Sequence, residues 1–322
     1  MKVLVVGGAG YIGSHAVYEL IRAGHEAVVF DNLSSGYRDL VHPKAAFYLG
    51  DVRNPKDLDQ VFNQESIDVV MHFAAKIVVP ESVKEPLEYY HNNVEGVRVL
   101  LESMKRNRIK NIVFSSTAAV YGEAKGVCDE TSLTIPINPY GETKLACEKM
   151  IKWVAQAHDI RYVIFRYFNV AGADASLEIG LRKDQLTHLI PVAIQSVLGI
   201  RDHLVIYGDD YPTKDGTCIR DYIHVSDLAK AHVLGALHLM KNGSSEVMNL
   251  GSNHGFSVLE VAKTVHDLAP LKTVIGPRRE GDPAELVASN QKAKTILGWT
   301  PQFSLKDIVQ SDYLYRQKIS KK

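Results

Sequence analysis

Tyr140 and Lys144 stand four residues apart in the run Asn138-Pro139-Tyr140-Gly141-Glu142-Thr143-Lys144. On a helix that spacing puts both side chains on one face. An ammonium beside a phenol favours phenolate and lowers the phenol's pKa, which makes a tyrosine usable as a general base near neutral pH. Asn138 has the residue type of an N-cap and Pro139 that of a first helical position, so a helix is predicted over 139–157. Upstream, an apolar strand at 111–114 ends in Ser115-Ser116-Thr117. The Thr117 hydroxyl at that strand tip can hydrogen-bond the same substrate hydroxyl that Tyr140 would deprotonate. A second Tyr-x-x-x-Lys, from Tyr121 to Lys125, lies between Gly122 and Gly126 without a helical pattern. It reads as a chance copy whose tyrosine lines the site or packs.

The elements that must position this chemistry begin at the N-terminus. A buried strand at 2–6 runs into Gly7-Gly8-Ala9-Gly10-Tyr11-Ile12-Gly13, and a helical pattern follows with Ile12, Ala16, Val17, Leu20 and Ile21 on one face. Gly24 stops it, and a second strand at 26–30 ends at Asp31. The glycines fit G-x-G-x-x-G at 8, 10 and 13 and G-x-x-G-x-x-G at 7, 10 and 13. One makes the turn, one admits a pyrophosphate to the backbone, and one lets helix and strand pack closely. The helix start offers free N–H groups and a positive dipole end. Asp31 lies near the offset of about 20 residues at which an acid meets an adenosine ribose. A carboxylate there repels a 2′-phosphate, so the expected cofactor is NAD rather than NADP.

The pattern continues with strands at 46–49, 67–72 and 111–114 and helices at 55–62 and 86–107. Apolar strands alternating with helices predict an α/β fold: a doubly wound parallel (Rossmann) sheet, with a smaller α/β substrate-binding domain after it. Ligands bind such sheets at the carboxyl ends of the strands. Asp31, Asp51, Phe73 and Ser115 to Thr117 fall at those ends. Asp51 is equally a candidate adenine contact and a turn or helix cap. Phe73-Ala74-Ala75 supplies small residues where a cofactor would pass. The expected domains are 1–172 for the nucleotide, completed by about 219–250, and 173–322 for the substrate.

With 322 residues, two domains are expected. Lys+Arg and Asp+Glu are both 37, a balance that argues against nucleic acid or a membrane surface as partner. No apolar run approaches the roughly 20 residues of a span, and the first residues read as a strand followed by glycines, so no signal peptide is expected. Cys128, Cys147 and Cys218 are too scattered for a disulfide framework or a zinc site, so a reducing cytoplasm is expected and no metal. Histidines 15, 72 and 224 lack ligand spacing.

These features resemble the extended short-chain dehydrogenase/reductase family: glycines 7, 10 and 13, Asp31-Asn32-Leu33, Ser115-Ser116-Thr117, Tyr121-Gly122 and Tyr140-x-x-x-Lys144. Five further runs narrow the resemblance to its branch of UDP-glucose/UDP-galactose 4-epimerases. They are His72-Phe73-Ala74-Ala75, Glu81-Ser82, Tyr89 to Val94, Arg166 to Gly172 and Asp215 to Val225. The resemblance covers nearly the whole chain.

The resemblance implies an NAD-dependent isomerase of galactose metabolism that interconverts UDP-galactose and UDP-glucose through a 4-keto sugar, and a homodimer through the 86–107 and 139–157 helices. It assigns Tyr140 as base, Lys144 as ribose holder and Thr117 as the hydroxyl's orienter. Cofactor contacts carry over to Gly7, Gly10, Tyr11, Ile12, Gly13, Asp31, Asn32, Ser35, Asp51, Val52, Phe73, Ala74, Ala75, Asn92, Ser115 and Phe168. Substrate contacts carry over to Asn169, His188, Leu189, Val205, Ile206, Tyr207, Arg220, Tyr222, Arg279 and Asp282. Arg220 and Arg279 suit a diphosphate on chemistry alone, since guanidinium is a planar fork. The sequence departs from the family at Lys76, one place early with Ile77 in its slot, at Pro80 and at His188, where asparagine is usual. Leu286 occupies the gate for N-acetylated sugars. A 4,6-dehydratase carries an Asp-Glu pair after the threonine, where this chain has Ala118-Ala119. A decarboxylase or another epimerase of the family, or an NAD-binding regulator without catalysis, are the alternatives; such regulators tend to lose the Tyr/Lys pair, and this chain keeps it.

Overall fold

The computed structural model describes residues 1–124, 126–182, 186–279 and 283–320. The strands and helices run β1 (Lys2–Val6), α1 (Tyr11–Arg22), β2 (Glu26–Asp31), β3 (Ala46–Leu49), α2 (Pro55–Gln64), β4 (Val69–His72), α3 (Val79–Lys84), α4 (Pro86–Tyr89), α5 (Gly96–Arg106), β5 (Asn111–Thr117), β6 (Val127–Cys128), α6 (Pro139–His158), β7 (Arg161–Tyr167) and β8 (Asn169–Ala171). There follow α7 (Leu189–Val197), β9 (Leu204–Tyr207), β10 (Ile219–His224), α8 (Val225–Met240), β11 (Glu246–Leu250), β12 (Gly255–Ser257), α9 (Val258–His266), β13 (Thr273–Gly276), β14 (Glu285–Ala288), α10 (Gln291–Leu297) and α11 (Leu305–Ser320).

The chain divides into two units. The first comprises Met1–Gly122, Leu133–Tyr167 and Ala229–Met248, and the second Glu123–Ser132, Phe168–Leu228 and Asn249–Lys322. Residues 123–132, 168–172, 219–228 and 249–250, expected with the nucleotide unit, therefore belong to the second. For 219–228 the reason lies in β10: its ladders run to β8, β12 and β14, all in that unit.

The first unit is built on a seven-stranded sheet of order β11-β7-β5-β4-β1-β2-β3. The ladders joining β1, β2, β3, β4, β5 and β7 are parallel. Every residue of β4 and β5 is buried, as strands covered on both faces must be. Chain order reverses at β1, which pairs β2 on one side and β4 on the other. That is where a doubly wound sheet opens a crevice at its carboxyl edge. The core packs Leu4, Phe30, Leu58, Leu100, Met104, Phe114 and Ile151. The helix expected over 86–107 is α4 and α5 joined by a π-helical turn at Tyr90–Glu95. Such a turn inserts one residue and swings the following side chains, a rotation no periodicity announces.

The second unit holds a sheet of order β12-β10-β14-β6, with β8 beside β10, and a parallel pair of β9 and β13. Its core packs Ile190, Ile194, Ile206, Tyr222, Val261, Val265 and Ile308.

Candidate active site

The glycine turn in the first unit is as tight as its sequence requires. Gly7 has φ +85°, and a Cβ there would lie 2.5 Å from the Ala74 nitrogen. A Cβ on Gly13 would collide with the Gly7 carbonyl. Phe73 and Ala74 both donate backbone N–H to the Val6 carbonyl, at 2.8 and 3.1 Å, which folds the end of β4 over the turn. α1 then starts at Tyr11 with Gly10 at its cap, no side chain capping it and no acid in its first turn. Its first N–H groups are thus left for an anion, the chemistry that a dinucleotide pyrophosphate would use, and the glycines keep the loop's own backbone clear of Cβ atoms. Tyr11 and Ile12 open this helix.

Asp31 is buried at the end of β2. Its Oδ2 accepts from the Ala9 amide at 2.9 Å and its Oδ1 from the Leu33 amide at 2.8 Å. The carboxylate braces the glycine loop, a contact the sequence reading did not anticipate. Asn32 donates to Asp51 at 3.0 Å, and Ser35 is exposed beyond it. Asp51 accepts two bonds from the Arg53 guanidinium, at 2.8 and 2.6 Å, which hold its carboxyl far below the usual carboxylate range. Val52 packs into the core. Asn92 donates to Asn93, and Asn93 accepts the Lys76 amide and donates to Thr143. The Lys76 ammonium faces Glu81 and Glu88, at 3.3 and 3.7 Å. Ala75 follows Ala74 at the same strand end.

α6 carries the chemistry. The Asn138 side chain accepts the Gly141 amide at 2.9 Å and Pro139 opens the helix. Tyr140 is half-buried and shares a side-chain hydrogen bond with Thr117. Lys144 is 4% exposed, and its ammonium donates to the Ser115 carbonyl at 2.8 Å, with the Phe114 ring 4.9 Å away. Tyr140, Lys144, Thr117 and Ser115 therefore converge at the carboxyl end of β5. Burial brings the Lys144 ammonium down to about 8, with Cys147 and Glu148 pulling it back up.

The expectation that the lysine lowers the phenol's pKa needs correction. Burial pushes the Tyr140 phenol up to about 12, and only the Thr117 hydrogen bond opposes it. One N–H of the Lys144 ammonium goes to the Ser115 carbonyl. His72, at the tip of β4, is held neutral: burial, with the Lys144 charge adding to it, brings the imidazole down to about 3. Tyr121 is buried in a 3-10 turn at Ala118–Tyr121, and its hydroxyl accepts from Arg166 at 3.1 Å. Lys125 of the second Tyr-x-x-x-Lys lies outside the described residues.

Three residues around this constellation were given no role by the sequence reading. Glu148 accepts from Arg166 through both oxygens and from Ser116 Oγ. His232, on α8, meets Ser115 Oγ at 3.1 Å with its ring against Phe73. A charged residue inside the apolar strand RYVIFRY was the available sign for Arg166.

The remaining candidates lie in the second unit. Phe168 is buried, and Asn169 donates to the Asp221 carbonyl at 3.1 Å. His188 is exposed at the cap of α7, before Leu189. On β9, Ile206 faces the core while Val205 and Tyr207 face away. The Arg279 guanidinium stacks on the Tyr207 ring at 4.0 Å. Arg220 pairs in register with Leu286 across β10 and β14, and Tyr222 packs in the core. Asp282 lies outside the described residues. Among the described residues no three His, Cys, Asp or Glu are grouped to hold a metal, and no helix is long and apolar enough to cross a membrane.

Known proteins match this chain over nearly their full lengths. A UDP-glucose 4-epimerase of Halalkalibacterium halodurans is 51% identical over 96% of this chain and 94% of its own. A solved UDP-glucose 4-epimerase from Brucella ovis, in complex with NAD, is 42% identical with a TM-score of 0.95, covering 98% of each chain. Another from Bifidobacterium longum, with NAD+ and UDP, is 38% identical with a TM-score of 0.91, over 99% of this chain and 98% of that one. The model of the NAD dependent epimerase/dehydratase family matches residues 3–251. From its glycine cradle to the tyrosine and lysine of α6, the chain belongs to the NAD dependent epimerase/dehydratase family.

Proposed function

We propose that the protein is an NAD-dependent isomerase that interconverts UDP-galactose and UDP-glucose. The observation that carries this reading is the meeting of Tyr140, Lys144 and Thr117 at the end of β5, in the unit that holds the glycine cradle. Bound NAD supplies a hydride acceptor and donor for the sugar C4. Tyr140 takes the proton of the 4-hydroxyl, and Thr117 orients that hydroxyl. Lys144 supplies the positive charge that favours phenolate once Tyr140 gives up its proton. Tyr140 returns the proton after the 4-keto sugar has turned over, so no net oxidation occurs. Ala118 and Ala119 can move no proton, which disfavours elimination chemistry.

In the second unit we assign the uridine diphosphate to Arg220, Arg279 and Tyr207, with Asn169, His188, Leu189, Val205, Ile206, Tyr222 and Asp282 as further contacts. The stacked Arg279–Tyr207 pair supports this, because a guanidinium held flat on a ring presents its N–H edge to phosphate. A homodimer through α4, α5 and α6 is supported by Leu87 and Trp153, which are 82 and 72% exposed on α4 and α6, helices that pack together. Three buried free cysteines suit a reducing cytoplasm.

The test is mass analysis of the nucleotide released from purified protein, together with a coupled assay on both UDP-hexoses. NAD should be found, and each sugar should convert to the other without added reductant. A protein inert on both sugars with NAD supplied would overturn the reading.

A further inference from the structure

Three side chains of α6, spaced by one turn each, meet three successive residues at the end of β5. Tyr140 pairs with Thr117, Lys144 with the Ser115 carbonyl, and Glu148 with the Ser116 hydroxyl at 2.5 Å. The first two belong to the constellation described above, and the third has no place in the reaction. Glu148 is wholly buried, and Arg166 is 4% exposed. From β7, Arg166 donates to both Glu148 oxygens, at 3.0 and 2.7 Å, and to the Tyr121 hydroxyl, over whose ring it also stacks. One ion pair thereby ties the catalytic helix, two strands and the turn after Thr117.

A buried ion pair is a poor device for stability. Removing two charges from water costs about as much as their attraction returns, and apolar side chains of similar volume usually serve as well. What the pair provides instead is direction. Its fork geometry fixes the rotation and the axial position of α6 at the level of Ser116, within one turn of Lys144. A shift of about 1 Å in a reacting group can cost on the order of a hundredfold in rate.

We propose that Glu148 and Arg166 are positioning residues for the tyrosine–lysine pair, and that their buried ion pair holds Tyr140 and Lys144 in register with Ser115 and Thr117. Glu148 acts in a second way through its charge. Lys144 is surrounded by His72 from β4 and by Tyr140, Cys147 and Glu148 on its own helix, with Tyr167 of β7 bonded to the Ser115 hydroxyl. Among these Glu148 is the carboxylate that favours the ammonium, and Arg166 behind it balances its charge.

The proposal rests on the epimerase reading, and the parent enzyme in the same assay separates the two. Glu148→Gln keeps the shape and removes the charge, and Ser116→Ala removes only the bond from helix to strand. In Glu148→Gln, retained NAD and the KM for UDP-galactose should stay within about threefold while kcat falls about 10- to 100-fold. The alkaline limb of kcat should move to lower pH, because Lys144 loses a charge that holds its proton. Ser116→Ala should lower kcat about 3- to 10-fold with NAD retained. An active parent beside a folded Glu148→Gln of unchanged kcat overturns the proposal, as does a loss that only tracks the folded fraction or KM. Should Glu148→Gln not fold, Ser116→Ala with the parent's kcat overturns it equally.

Discussion

Lys144 donates to the carbonyl of Ser115 across 2.8 Å, between a helix and a strand that are both buried at that point. The proton on this ammonium is therefore a shared concern of the chemistry and of the fold.

The consequence is a pH dependence of opposite sign for the two. Burial brings Lys144 from its ordinary 10.5 to about 8. Turnover that needs the ammonium should hold below that pH and decline as pH rises through it. Between about 8 and 10.5 the unfolded chain binds the proton that the folded chain has lost, so this residue's effect on stability becomes more favourable as pH rises across that window. kcat–pH profiles and urea midpoints, each compared with Lys144→Met, check both halves. A stability profile identical in the two proteins over this window would contradict the shift.

Tyr140→Phe should lose turnover by a factor of about 10³, within the range that general acid–base groups contribute, and should retain NAD. Thr117→Ala should lose less, about tenfold, because it removes an orienting bond and leaves the base. Full activity in Tyr140→Phe would refute its role.

Gly13→Ala places a methyl group against the Gly7 carbonyl, which is backbone and cannot swing aside. Destabilisation of about 1–3 kcal/mol is expected, as for other overpacking changes, with less nucleotide retained. Thermal melting and released-nucleotide analysis measure the two effects. A variant as stable and as well loaded as the parent would show that the cradle is looser than its geometry.

Asp31→Ala should relax the preference for NAD over NADP. Because the same carboxylate accepts the Ala9 and Leu33 amides, it should also weaken binding of both cofactors. Dissociation constants for the pair settle it, and an unchanged ratio would refute the discrimination.

Trp153→Glu places a charge on the most exposed aromatic of α6 and should convert a dimer to monomer in sedimentation without changing the fold. A monomeric parent would exclude the proposed contact.

The parts of the site legible in the sequence are those encoded by neighbours along the chain. Glycines 7 and 13, the Asn138 cap and the Tyr140–Lys144 spacing each act within a turn or two, so residue type and offset suffice. Glu148 and Arg166 meet across 18 positions, and His232 reaches Ser115 across 117, distances at which spacing carries no information. The Tyr140 phenol shows the same limit. Its spacing to Lys144 was readable, but the ammonium's bond to the Ser115 carbonyl and the burial that pushes the phenol up were not. Asp51 runs the other way: Arg53 stands only two positions on, yet residue type alone did not say that its guanidinium would turn back onto the strand-end acid.

The sheet order has a consequence for synthesis. β1 is the first strand to be made and sits inside the sheet, whereas β11, at its edge beside β7, ends at Leu250. A ribosome must therefore deliver much of the second unit before the first can close. Until then the flank of β7 is an open row of amides and carbonyls, exposed to chaperones and to stray strands alike.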